Sequence, residues 1–230
     1  MNQQPESAPT IIKPDRIEWR PVGQFRIDGR RVYIGDSWMI GCGDVDAPVT
    51  PGVYDIDIKI HYYGSDDRVA LLRGRLVGSK PDGERLAGEF GVDVASAGVI
   101  DADAYDRWHA SDEKATEVWQ EKFSAGQTGD YADFFPCEQI GSSMLYTSTG
   151  FGDGGYNAVT LVEGDRPVGF ELRFLSDEGY SNEPVRPALT LKERAWIAVL
   201  LPITIIVAIP VVILGLVSRW SNKFLRMHKK

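Results

Sequence analysis

Cysteine and histidine are scarce in this chain of 230 residues, which holds two cysteines and three histidines. Neither Cys42 nor Cys137 belongs to a CxxC pair or a cysteine–histidine cluster, so no zinc site is indicated. Two cysteines can pair outside the cytoplasm and stay reduced inside it. The sequence leaves both states open.

Catalytic motifs are also absent. The chain has no Gly-x-Ser-x-Gly elbow, no HExxH motif and no P-loop ending in Lys-Ser/Thr. The histidines are far apart in the pattern: His61 on the polar face of a predicted strand, His109 on a helix flank and His228 in the tail. The residues therefore favour a non-enzymatic protein, and no cofactor is expected.

An apolar stretch is missing near the start, where residues 1–14 are polar and rich in proline and are predicted to be disordered. The long hydrophobic run is instead residues 195–218, which carry no charged side chain. At about 1.5 Å per residue such a helix crosses a hydrocarbon core of about 30 Å. With Trp196 and Trp220 at its flanks, the run predicts a single transmembrane helix followed by a basic tail, 219–230.

The orientation of this span is open to two arguments. A first membrane-directing segment close to the C-terminus is typical of a tail-anchored protein whose large domain stays in the cytoplasm. The five basic residues of the tail favour the opposite orientation, because positive flanks prefer the cytoplasmic side. We favour a cytoplasmic domain, because moving a folded domain across a membrane without a signal is the harder step.

Negative charge dominates the rest of the chain. The whole sequence has 25 basic and 33 acidic residues, and without the five basic residues of the tail its net charge is −13. Such a body repels nucleic-acid phosphates and favours basic proteins or cations. The alternative is that the charge only keeps the domain soluble.

Alternating apolar and polar residues predict an α+β domain over residues 15–177, with a mostly antiparallel sheet and one main helix. Asp28-Gly29 is predicted to be a hairpin turn between two strands. The predicted strands are 16–27, 30–40, 53–63, 68–77, 143–148, 156–162 and 167–175. Strand 68–77 is predicted to pair with 53–63, which it follows through the short loop 64–67. The helix is predicted over 101–123, with a possible break at Ser111-Asp112 and a cap at Asp101 or Asp103. Residues 178–194 read as a linker to the span.

The glycine-rich loop 148–156 is a candidate ligand or partner loop, because closely spaced glycines allow close backbone approach. Its candidate residues are Gly150, Gly152, Asp153, Gly154 and Tyr156. The alternative is a tight hairpin in which Asp153 binds backbone N–H groups.

An acidic cluster precedes the predicted helix and is a candidate site for Ca²⁺ or Mg²⁺. Its members are Asp93, Asp101 and Asp103, with Asp106 following. The spacing does not match an EF-hand loop. Helix capping explains the same aspartates equally well.

Three short stretches carry a resemblance to a known family. They are Thr50-Pro51-Gly52-Val53-Tyr54 with Arg68-Val69-Ala70, then Gly91-Val92-Asp93-Val94 running to Gly98 and Ile100-Asp101, and the loop 148–156. In order and spacing the chain resembles, over roughly residues 30–175, the bacterial domain-of-unknown-function family numbered 4241. Thr149 and the segment 95–97 depart from the family pattern. The resemblance implies a non-enzymatic domain, and some members resemble immunity or partner-binding proteins.

These features predict a membrane-anchored, non-enzymatic binding protein, either immunity-like against a toxin or a partner-binding module, with the lipid bilayer and a protein as partners. One alternative is a metal-assisted hydrolase that uses Asp93, Asp101, Asp103 and Asp153. Another is an accessory subunit of a membrane protein complex, although Gly215 alone forms no GxxxG face.

Overall fold

The computed structural model describes residues 11–41, 44–110, 117, 119–121, 123 and 131–181. Antiparallel β-sheet dominates these ranges, which confirms the predicted β-rich class. The predicted span 195–218, the basic tail and Cys42 lie outside the described residues. Within those residues, no helix is both long enough and apolar enough to span a membrane.

The strands of the described residues follow one another with few helical interruptions. They are β1 (Ile11–Ile12), β2 (Arg16–Ile27), β3 (Arg31–Asp36), β4 (Val45–Pro48), β5 (Gly52–Tyr63), β6 (Asp66–Leu76), β7 (Gly83–Val92), β8 (Ser96–Asp101), β9 (Ala132–Cys137), β10 (Ser142–Ser148), β11 (Gly154–Glu163), β12 (Arg166–Arg173) and β13 (Tyr180–Ser181). Helix α1 (Ala102–His109) follows β8, and a single 3-10 turn, Glu138–Ile140, follows β9.

Two sheets pack face to face around the main core. The six-stranded sheet has the order β2-β5-β6-β12-β11-β7, and the five-stranded sheet has the order β4-β3-β8-β10-β9. Period-two alternation in β5 points Tyr54, Ile56, Ile58 and Ile60 inward. These residues share one buried hydrophobic cluster with Val32 and Val99 of the five-stranded sheet. The strand pair β5–β6 confirms the predicted pairing of 53–63 with 68–77.

A helical layer covers the other face of the five-stranded sheet. Tyr105 and Trp108 of α1 pack with Trp119 and Phe123 against strand residues such as Met144. Asp101 caps α1 by accepting a hydrogen bond from the Ala104 N–H at 2.9 Å, as predicted. Helix α1 ends at His109, and the described residues 117, 119–121 and 123 are again helical. The five-stranded sheet thus has described residues packed on both faces.

The predicted hairpin at Asp28-Gly29 is wrong. The chain passes there from β2 in the six-stranded sheet to β3 in the five-stranded sheet, and β2 pairs with β5 instead. A sheet-to-sheet connection can use the same turn residues as a hairpin, so the turn residues alone do not distinguish them.

Strands β4, β7, β8 and β9 were not predicted, and the sequences of the last three explain why. All six residues of β8 are buried, so the strand lacks alternation. Strand β7 contains three glycines, and the edge strand β9 contains Pro136. These residues weaken the strand pattern that propensity and period provide.

Pairing continues beyond both ends of the predicted domain 15–177. Ile11 pairs with Ser181 and Ile12 with Tyr180 in a two-stranded antiparallel sheet. The first strand belongs to the stretch predicted to be disordered, and the second to the predicted linker. This small sheet brings the two ends of the described chain together.

Candidate functional site

Asp101 is an almost fully buried carboxylate, 2% exposed, at the end of β8. Its Oδ2 accepts hydrogen bonds from the Asp28 N–H at 3.0 Å and the Gly29 N–H at 2.7 Å, while its Oδ1 accepts from Ala104. One carboxylate therefore fixes both the β2–β3 connection and the start of α1. Such charge-assisted bonds to backbone N–H groups use the oxygens that a metal ion needs.

Asp103 and Asp106 face an arginine. The Arg31 guanidinium lies 2.8 Å from Asp103 Oδ1 and 2.9 Å from Asp106 Oδ2, and it also reaches Asp46 at 2.7 Å. The backbone N–H of Arg30, followed by the Arg31 guanidinium, holds the pKa of Asp103 below its ordinary value. Arg31 therefore supplies the positive charge that a cation was expected to supply.

Asp93 lies at the opposite end of the strand that leads to Asp101. Asp101 pairs with Val32, whereas Ala97 pairs with Asp36, which accepts a hydrogen bond from the Asp93 N–H at 2.7 Å. Four residues of strand separate these pairs by about 13 Å. The structure therefore does not bring Asp93 to Asp101 and Asp103, and the described residues contain no group of three His, Cys, Asp or Glu that could hold a metal ion.

The glycine-rich loop joins the two sheets and is not a hairpin. It leaves β10 in the five-stranded sheet and enters β11 in the six-stranded sheet. Asp153 Oδ1 accepts a hydrogen bond from the Ala95 N–H at 2.9 Å, the kind of backbone bond predicted for it. The Gly152 carbonyl accepts from the hydroxyls of Thr149 at 2.7 Å and Tyr156 at 2.6 Å. These loop groups are thus used within the fold.

Gly150 and Gly152 have φ of 36° and 112°, in the region that favours glycine. Both line a cavity of about 190 Å³ together with Asp67, Arg68 and Tyr131. The Tyr131 hydroxyl donates to Asp67 across this cavity. The remaining candidates are structural: Gly154 begins β11, and Tyr156 packs on Phe90 and Phe174.

The outer face of the six-stranded sheet carries a cluster that the sequence analysis missed. The register places Trp19 opposite Lys59, and Asp57 opposite Arg73. The Trp19 ring has the Arg73 guanidinium carbon 3.9 Å from its centre and the Lys59 Nζ at 5.1 Å. Trp19 is nevertheless 42% exposed. We call Trp19, Asp57, Lys59, Arg73 and Arg75 the Trp19 face.

Arg73 is held only weakly by Asp57 in this cluster. Its Nη2 lies 3.5 Å from Asp57 Oδ2, the oxygen that already accepts from Arg75 at 2.8 Å. Its Nε is buried and has no hydrogen-bond partner among the described residues, while the side chain as a whole is 24% exposed. A partly exposed arginine stacked on an exposed tryptophan is an arrangement of the kind found in binding interfaces.

His61 links this face to the end of the domain. Although it was placed on the polar side of its strand, its side chain is fully buried, with Nε2 2.9 Å from Asp177 Oδ1. Lys59 Nζ binds the same carboxylate at 2.9 Å. Burial lowers the pKa of His61 and outweighs the opposing effect of Asp177. Partial burial raises the pKa of Asp177, but the bonds from Lys59 and His61 bring it below its ordinary value.

Alternation alone predicted Asp57 and Lys59 on a polar face and placed Trp19 within a strand. It did not reveal which strand lies beside which, so the sequence contained no signal for the cluster as a unit.

No family model, curated protein or solved structure matches this chain. The resemblance to the family numbered 4241 therefore stays a prediction.

We expect Asp101→Ala to destabilise the protein strongly, because three backbone N–H groups lose a buried charged acceptor. The loss in free energy of unfolding should be about 3 kcal/mol or more. Urea unfolding of the purified protein in detergent, followed by tryptophan fluorescence, measures it. Asp93→Ala is the matched control, since that side chain is exposed, and its effect should stay within about 0.5 kcal/mol. Equal effects of the two substitutions, or a Ca²⁺-dependent stabilisation lost in both, would contradict this account.

We expect His61 to make the protein less stable in mild acid. Its folded pKa lies below the ordinary 6.5, so below about that pH the unfolded chain binds more protons than the folded chain. The contribution of His61 to the free energy of unfolding is therefore fully present above about pH 6.5 and is lost as the pH falls towards the folded pKa. His61→Gln keeps a donor for Asp177 without titrating, so its urea midpoint should change less than that of the wild type between pH 7.5 and 5.5. Parallel pH profiles of the two proteins would show that His61 does not titrate in this way.

Proposed function

We propose that this protein is a non-enzymatic binding protein, held at a membrane by residues 195–218, that binds a protein partner through the Trp19 face. The observation that carries the proposal is the Trp19 ring, 42% exposed, stacked on the partly exposed Arg73 guanidinium. Tryptophan and arginine dominate the energetics of protein interfaces.

The layers of the fold support this choice of surface. The five-stranded sheet packs on the six-stranded sheet on one side and on the helical layer on the other. The described residues place no comparable layer on the outer face of the six-stranded sheet, where Trp19, Asp57 and Lys59 lie. This leaves the Trp19 face as a rigid surface on paired strands, which keeps the ordering cost of binding low.

The chemistry of the face defines the partner. The partly exposed Arg73 guanidinium suits a carboxylate or carbonyl oxygen, and Trp19 offers apolar area beside it. The chain as a whole is acidic, with a net charge of −13 without the tail, and this favours association with a protein that is basic overall. The implied likeness to immunity and partner-binding domains agrees with such a role.

The metal-assisted hydrolase has no comparable support. Asp93 is separated from the other aspartates, and the carboxylates of Asp101 and Asp103 are bound to backbone N–H groups and Arg31. Asp153 is bound to the β7–β8 connection. The carboxylates of Asp101, Asp103 and Asp153 thus have structural partners, and Asp93 lies apart from Asp101 and Asp103.

We expect a photo-crosslinking side chain at position 19 of the full chain, in its native membrane, to capture one specific protein. Position 77 is the control, since Val77 is 51% exposed but lies six strand pairs away along β5–β6.

With the captured protein purified, Trp19→Ala should weaken binding by about thirtyfold, the effect of losing a hot spot of about 2 kcal/mol. Arg73→Lys should also weaken binding, because lysine does not reproduce a stacked planar donor. Unchanged affinity of both variants, with unchanged unfolding midpoints, would disprove the proposal.

The membrane attachment has its own test. Ile206→Arg combined with Val212→Arg should move the protein from the carbonate-resistant membrane fraction to the soluble fraction, because each arginine costs about 3 kcal/mol at the centre of a span. Ser221→Arg combined with Asn222→Arg adds the same charge to the tail and should leave the protein in the membrane fraction. Wild-type protein that carbonate extracts fully would rule out a span.

A further inference from the structure

Exposed apolar side chains gather at one end of the six-stranded sheet, where β5 ends and β11 begins. Ile11, Ile17, Val94 and Phe151 are each at least 42% exposed. Ile17 pairs with His61 near the end of β5, Val94 follows β7, and Ile11 pairs with Ser181, the last described residue. We call this the exit end, because the chain continues from it towards residues 195–218.

Phe151 stands at the centre of the exit end. Its ring lies 4.2 Å from that of Tyr180 and 5.7 Å from that of Tyr63, and the Arg68 guanidinium carbon is 5.5 Å from it. The loop beneath is tied down, since the Gly150 N–H donates to the Val69 carbonyl at 3.0 Å. Phe151 belongs to neither hydrophobic core cluster. The glycine-rich loop therefore holds an aromatic ring at the surface.

The opposite end of the same sheet is different in character. Its connections, residues 78–82 and 164–165, consist of glycine, serine, lysine, proline and aspartate. The exposed large apolar residues on this side are Val77 and Leu86, and Leu86 borders a pocket together with Asp165. The exit end differs in that its exposed apolar side chains include an aromatic ring, Phe151, in contact with two further aromatic rings.

We propose that the exit end lies on the surface of a lipid bilayer, with Phe151, Tyr63 and Tyr180 in the interfacial region. The inference rests on the proposed membrane anchor. Residues 182–194 join the exit end to the predicted span, and 13 residues reach at most about 45 Å. The exit end is therefore confined close to the membrane. Aromatic rings with a polar edge prefer the interface between lipid and water.

The charges at the exit end define the kind of lipid surface. Asp66, Asp67 and Asp177 lie there together with the basic residues Arg16 and Arg68. Since the carboxylates oppose attraction to anionic headgroups, the contact is apolar and suits zwitterionic lipid. Binding by the exit end should accordingly depend little on salt.

The test compares two single-cysteine positions in the full chain, reconstituted in phosphatidylcholine nanodiscs, with Cys42→Ser and Cys137→Ala as background. An environment-sensitive fluorophore is placed at Phe151→Cys at the exit end or at Val77→Cys at the opposite end. Val94→Cys, an exposed position at the exit end, serves if Phe151→Cys fails to fold. We expect a blue-shifted emission, quenching by nitroxide lipids and loss of iodide quenching at 151 and 94, with the reverse at 77.

The outcomes separate this inference from the proposed anchor. Protein that does not stay with the discs would overturn both. Protein that stays with the discs, with equal iodide quenching at 151 and 77, would overturn the inference and leave the anchor intact. A label at 151 shielded from iodide and from nitroxide lipids alike would show a protein contact instead and would also overturn it.

Discussion

Buried carboxylates bound to backbone N–H groups fix the connections that run between the two sheets. The chain crosses between the sheets four times in the described residues, and each crossing leaves backbone donors without a strand partner. Buried Asp101 serves the crossing after β2, and buried Asp36 serves the crossing after β7, where the exposed Asp153 adds a further bond to Ala95. Because an unsatisfied buried donor costs a few kcal/mol, the sandwich depends most on Asp101 and Asp36.

This constraint decides where function can reside. The aspartates that resemble metal ligands or loop acceptors have their oxygens engaged in holding connections together, and Arg31 offsets the charge of Asp103. The surfaces that we propose for binding lie elsewhere. They are the Trp19 face, where Trp19 stacks on Arg73, and the exit end around Phe151. We propose a protein partner for the first surface and a lipid bilayer for the second.

Particular elements show how far sequence reasoning reached. Strict alternation and a short polar loop made β5 and its pairing with β6 predictable, and Asp101 ahead of an apolar-periodic stretch made the α1 cap predictable. The turn Asp28-Gly29 was recognised, but its hairpin assignment failed. Strand β8 escaped notice because a strand buried on both faces has no polar side. Period two reports which residues share a face and says nothing about which strand lies alongside.

By itself, the sequence determined the β-rich class, the main strand pair, the helix cap and a run of apolar residues that predicts a membrane span. These follow from local patterns, in which neighbouring residues carry the information. Tertiary structure alone decided that Trp19 meets Lys59 and Arg73, that Asp93 is separated from Asp101, and that the glycine-rich loop bridges two sheets. Those facts depend on pairings between distant strands, and side chains that are complementary only across such pairings leave no local trace in the sequence.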